Sequence, residues 1–196
     1  MAFLLSITGC VPLPAKVSYV APEPAPGLEL ASSTRGPKDV VKFKLPPDIE
    51  MTLIVFDEAN GNMIRLYFNL PEGRTFRFGE GRLAILRKET DQVTYVSLEK
   101  IIAVQIKDNV GSLISYEPQD KIVGASFSFK TTTMTFAEKQ VSVPLRIQVE
   151  AKLVEPLPEA FDLHLPTFHI DGQPSTQPPI HFIRRTGTFL NFGGPW

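Results

Sequence analysis

His164, His169 and His181 stand within an 18-residue window near the end of the chain, with Asp162 and Asp171 close to the first two. Imidazole nitrogens and carboxylate oxygens are the donors that hold transition metals, so their convergence would make a metal site or a metal-dependent enzyme. In "FDLHLPTFHID" the apolar positions are Phe161, Leu163 and Leu165, then Phe168 and Ile170. The step of three residues after Leu165 predicts a phase slip at Pro166-Thr167, as a β-bulge would give. That slip puts His164 and His169 on one outward face, beside Asp162 and Asp171. His181 also points outward, between Ile180 and Phe182. If "DGQPSTQPP" is the connecting loop, a hairpin centred near Ser175 would set His169 opposite His181. The plainer alternative is that outward histidines on strands are only solvated, and no metal or cofactor is assigned.

Other chemical signals are weaker still. Gly79-x-Gly81-x-x-Ala84 matches a dinucleotide fingerprint as a string, but that motif works only between a parallel strand and a helix. Residues 82–87 read as a strand, so the glycines are expected to form a hairpin turn. The single cysteine, Cys10, is far in sequence from every histidine, which argues against a Cys–His nucleophile. A basic run comprises Arg65, Arg74, Arg77, Arg82, Arg87 and Lys88. With a net charge of −1 over 196 residues, it reads as a solvated face rather than a nucleic-acid surface.

From Lys38 onward the dominant period is two, the signature of half-buried strands. The clearest stretch is Val141, Val143, Leu145, Ile147, Val149, Ala151 and Leu153, interrupted at Pro144, which cannot donate to a ladder and so marks an edge or a bulge. A hairpin is expected across residues 49–70, turning at Asn60-Gly61. Its first arm, 51–56, is apolar on both faces and should be central; it has no place in a membrane barrel with a polar lumen. Further strands are expected at 74–78, 81–87, 92–98, 101–107, 122–136, 162–171 and 180–192. Residues 97–105 allow a short helix as the alternative, with Ser97 as its cap.

Many short strands punctuated by Gly, Pro, Asn and Asp indicate an all-β fold, an antiparallel β-sandwich of immunoglobulin-like or transthyretin-like form. One cysteine allows no disulfide within the chain, so the fold must rest on its core.

Before that domain lie two unlike segments. Residues 2–9 are apolar and then small, and Cys10 follows directly; Pro12, Pro14, Pro22, Pro24, Pro26 and Pro37 then fill a stretch without hydrophobic period. The run Ile7-Thr8-Gly9-Cys10 resembles the lipobox of bacterial lipoproteins. The resemblance implies that residues 1–9 are the remnant of a signal peptide shorter than the usual leader. It also implies that Cys10 is the lipidation site, and that Val11 at the next position directs export to the outer membrane. Proline locks φ and removes donors, so residues 10–37 are expected to be an extended tether. The sandwich is then expected at 38–196.

The resulting expectation is an outer-membrane lipoprotein on the periplasmic face, held to the bilayer by acylated Cys10. Its sandwich would be a non-catalytic binding or scaffolding module for an envelope protein partner, with no nucleic acid. The alternatives are a metal-dependent or metal-binding protein using His164, His169 and His181, and a carbohydrate-binding module.

Overall fold

In the computed structural model the described residues are 16–22, 28–31, 40–45, 48–58, 61–107, 110–118, 123, 126–128, 133–136, 139–142 and 145–187. In chain order the strands are β1 Lys16–Val20, β2 Leu28–Ala31, β3 Val40–Leu45, β4 Ile49–Glu58, β5 Gly61–Leu70 and β6 Thr75–Phe78. They continue as β7 Arg82–Arg87, β8 Gln92–Ser97, β9 Lys100–Lys107, β10 Val110–Pro118, β11 Ser126–Ser128 and β12 Thr133–Phe136. The last are β13 Lys139–Ser142, β14 Leu145–Leu153, β15 Ala160–His164, β16 Phe168–Ile170, β17 Gln173–Ser175 and β18 Ile180–Gly187.

All pairings are antiparallel and the sheets are open. A seven-stranded sheet has the order β10-β9-β14-β5-β4-β3-β2, and a five-stranded sheet has the order β1-β18-β15-β7-β8. A four-stranded sheet runs β11-β6-β16-β17, and β12 and β13 form a separate hairpin. The fold is therefore all-β and sandwich-like.

The alternation read from the sequence decides which side of each sheet is apolar. In β5, Ile64, Leu66, Phe68 and Leu70 are buried while Arg65, Tyr67 and Asn69 face outward. β14 lies beside β5 with Ile147 opposite Phe68 and Val149 opposite Leu66, so the buried rows continue across the sheet. β4 is central between β3 and β5, as its doubly apolar sequence predicts. The sheets meet in one core. At its centre, Phe68 of the seven-stranded sheet touches Phe76, Phe78 and Phe168 of the four-stranded sheet, with ring centroids 4.6, 5.8 and 5.2 Å away. The pairs with Phe78 and Phe168 are edge-to-face, a geometry that adds to the gain from removing apolar area from water.

Several expectations change. Residues 97–105 contain no helix; β9 is a strand between β10 and β14. The 49–70 hairpin pairs Glu58 with Gly61, so Gly61, expected in the turn, belongs to β5 with φ 116°; residues 59–60 lie outside the described residues. The long strand around Pro144 is two strands, β13 and β14, and Val143 and Pro144 themselves lie outside the described residues. Gly79 and Gly81 do not make a hairpin. They carry the chain from β6 in one sheet to β7 in another, a corner held by the Gly79 N–H donating to Thr167 O at 2.8 Å. Likewise Leu165, Pro166 and Thr167 are a second corner, between β15 and β16, where a bulge was expected.

The largest correction concerns the proline-rich segment. β1 pairs with β18 and β2 with β3, so part of the expected tether belongs to the sandwich, which begins at Lys16 rather than Lys38. Tyr19 is the reason on β1: its side chain is 1% exposed, stacks edge-on against Phe161 at 5.5 Å and donates its hydroxyl to Leu157 O at 3.2 Å. Residues 10–15, 23–27 and 32–37 of that stretch lie outside the described residues.

Two substitutions check this packing by urea denaturation. Phe68→Ala should cost about 3–5 kcal/mol, as for other buried aromatic truncations. Gly79→Ala should cost about 1–3 kcal/mol, because its Cβ would stand 2.9 Å from Thr167 O and 2.9 Å from His169 Cε1.

Candidate functional site

The register of the five-stranded sheet settles where the histidines go. Phe161, Leu163, Ile180 and Phe182 are buried, so Asp162, His164 and His181 face outward. Asp162 is opposite His181 on one side and Leu86 on the other, and Leu86 is opposite Val93. The neighbouring row holds His164, Ala84 and Tyr95. His181 Nδ1 lies 2.7 Å from Asp162 Oδ1, and Lys88 Nζ lies 3.3 Å from the same oxygen. This carboxylate holds the His181 imidazole, but His169, expected opposite His181, is elsewhere.

His169 belongs to the four-stranded sheet. Ile170 pairs with Gln173, so the hairpin turns at Asp171-Gly172, with φ of 52° and 81°, and His169 faces Pro174. Left-handed φ at both turn residues is what a tight two-residue hairpin requires, and Asp-Gly is a favoured sequence for it. That signal stood in the sequence and argued against a turn near Ser175. The His169 ring packs on Gly79, with its Nδ1 buried and without a hydrogen-bond partner. Asp171 accepts from the Thr75 N–H at 2.9 Å and pairs with Arg74 at 2.8 Å. These contacts hold its carboxyl below the usual range, the Thr75 hydrogen bond first among them. Thus Asp162 and His181 come together, with His164 in the next row of that face, while His169 and Asp171 sit in another sheet. Among the described residues, no three His, Cys, Asp or Glu side chains are grouped to hold a metal ion.

The basic run is also dispersed. Arg65 pairs with Glu150 at 3.0 Å, Arg87 with Glu155 at 3.1 Å and Lys88 with Asp162. The Arg82 guanidinium lies 4.3 Å from the centre of the Tyr95 ring. Glu150 is the most buried of these charges, 5% exposed, on the outer face of β14. Besides Arg65 it receives Lys100 Nζ at 2.7 Å and Gln148 Nε2 at 2.8 Å. Burial works against its ionisation. The Lys100 hydrogen bond, the Arg65 and Lys100 charges and the Gln148 amide outweigh that, and hold its carboxyl below the usual range.

A feature that periodicity did not show lies beside β8. The Leu98 N–H donates to Gly81 O at 2.9 Å, which makes that pair a hydrogen-bonded one across β7 and β8. By the two-residue alternation of an antiparallel ladder, Gln92, Thr94 and Val96 also turn their backbone groups toward β7. Val93, Tyr95 and Ser97 therefore turn theirs outward. Glu99 continues this outward phase, and its N–H donates to Glu150 O at 2.8 Å. From that bond β8 goes into the five-stranded sheet while β14 stays in the seven-stranded one. A cleft of about 340 Å³ lies between β8 and residues 152–158. Ile85, Val96, Leu153, Val154, Pro156 and Leu157 supply much of its lining. Its four charged residues are paired with one another, Arg87 with Glu155 at 3.1 Å and Lys152 with Glu99 at 3.6 Å. The cleft thus offers apolar surface and directed backbone groups.

Cys10 and the residues before it lie outside the described residues. No helix among the described residues is long and apolar enough to cross a membrane. Comparison of the chain with protein-family models, with curated proteins and with solved structures found no match.

The ion cluster at Glu150 has a measurable consequence. Its folded-state pKa lies below the ordinary value of 4.5, so the stabilisation is present above that pH and is lost as pH falls below it. Glu150→Gln should lower stability at pH 7 by about 1–3 kcal/mol and flatten the acid limb of a stability-versus-pH curve. Chemical denaturation between pH 3 and pH 7 reads both effects.

Proposed function

We propose that the chain is a lipid-anchored lipoprotein of the bacterial cell envelope, whose sandwich binds or scaffolds another envelope protein without catalysis. The observation that carries this reading is the lipobox-like run Ile7-Thr8-Gly9-Cys10, whose cysteine stands a few residues ahead of β1. Residues 11–15 alone separate them, so Cys10 lies at most about 20 Å from the start of β1. β1 and β8 are the two edges of one five-stranded sheet, about 19 Å apart at ordinary strand spacing.

An acylated Cys10 therefore ties the sandwich to the bilayer by its β1 edge. The β8 edge and its cleft stand on the opposite side, available to a partner. One acyl chain anchors only marginally, and the additional acylation that the lipobox resemblance implies makes attachment stable. Val11 after the cysteine fits retention at the outer membrane, on its periplasmic face. The binding role draws support from the cleft itself, and from the ion pairs that occupy Arg65, Arg74, Arg87 and Lys88.

Intact-mass analysis of the chain purified from membranes tests the anchor. The mature protein should begin at an acylated Cys10, and Cys10→Ser should move it out of the membrane fraction. Recovery of an unmodified Cys10 still preceded by residues 1–9 would overturn the proposal.

A further inference from the structure

The sheet edges differ in how they are protected. Native edges are blunted by charge, proline, bulges or short length, because unpaired backbone groups invite another strand. β1 begins with Lys16, β2 has four residues and includes Glu29, and β17 has three and includes Pro174. β11 has three residues, and β10 ends in Glu117-Pro118 with a register shift at Leu113/Ser115. β8 reads Gln-Val-Thr-Tyr-Val-Ser, with no charge, proline or glycine over six residues. Among the described residues no strand pairs with its outer side. Val93 is 47% exposed and Tyr95 61%, although both are large and apolar in body.

We infer that the β8 edge accepts an extended, uncharged segment of a partner protein as an added strand, with alternate apolar side chains entering the cleft. The outward N–H and C=O groups of Val93, Tyr95 and Ser97 supply the ladder. Strand addition takes affinity from main-chain bonds and selectivity from the pockets for alternate side chains. The occupant's chemistry follows from the lining. Arg87, Glu155, Lys152 and Glu99 already neutralise one another, so a charged segment would be desolvated there with no counter-charge left to meet it. Val154, fully exposed on the opposite wall, has an apolar side chain available for contact. A cleft of about 340 Å³ admits side chains from a single strand. The inference deepens the binding role proposed above and is independent of the lipid anchor.

The test uses the full chain carrying Cys10→Ser and a fluorescent, end-blocked eight-residue peptide of alternating valine and threonine. Saturable binding is expected, with new hydrogen-exchange protection at the amides of residues 93, 95 and 97. Two further peptides are N-methylated, one at the valine amides and one at the threonine amides; one of them should lose about tenfold or more in affinity. Tyr95→Pro removes an outward donor without touching the ladder to β7 and should cost about tenfold. Tyr95→Thr keeps that donor and should bind within about threefold of the parent chain. Val154→Asp, on an exposed wall where folding is unaffected, should weaken binding about tenfold. No saturation up to millimolar peptide overturns the inference. So does equal binding by both N-methylated peptides, or undiminished binding by Tyr95→Pro and Val154→Asp. A dimer in sedimentation that Tyr95→Pro dissolves would give the edge to a second copy, and would likewise overturn it.

Discussion

Phe68 is the contact on which the sandwich turns. Its ring is fully buried and meets Phe76, Phe78 and Phe168, which themselves touch one another. The chain has one cysteine and hence no internal disulfide, so cohesion between sheets depends on burying such surface. Phe161 and Phe182, stacked at 5.4 Å, perform the same service within the five-stranded sheet. Every strand that contributes to this core must present one apolar face to it, and that requirement accounts for the alternation in β5, β14, β15 and β18.

Keeping those faces inward forces the chain to change sheets at corners. Gly79 has no Cβ where His169 and Thr167 press close, so β6 can end in one sheet and β7 begin in another. Pro166 and Thr167 do the corresponding work between β15 and β16. At the third corner, Glu99 bonds to the Glu150 backbone while the Glu150 carboxylate gathers Lys100 and Arg65. That corner locks the point where β8 and β14 part company. The cleft beside β8 is a by-product of the parting, and it lies along an edge that directs backbone groups at open space. The proposed binding role thus rests on the same geometry that holds the sheets together.

Side-chain orientation was readable from one or two neighbours; pairing was not. Asp162, His164 and His181 point outward because Phe161, Leu163, Ile180 and Phe182 must point inward, and Asp162 meets His181. His169 is equally outward in phase, yet it faces Pro174 in another sheet, because the Asp171-Gly172 turn and the corner at Pro166 separate it from β18. The proline-rich stretch misled for a related reason. Its composition says extended backbone, which is correct for β1 and β2, but extended backbone becomes a strand wherever an edge has room and a residue such as Tyr19 gains burial.

The sequence by itself determined the class of element, the inward residues of most strands and the lipobox-like run ending at Cys10, since each is written in a few consecutive positions. Tertiary structure alone decided which strands share a sheet, where the corners fall and which strands become edges. It also decided that Glu150 should be a buried, ionised centre rather than one more polar residue in an alternating strand. The physical reason is range. A period of two describes the chain against its own axis, whereas pairing and sheet assignment are contests among segments up to 171 positions apart, as Lys16 and Gly187 of the β1–β18 pair are. Those contests are resolved only when the whole core is packed.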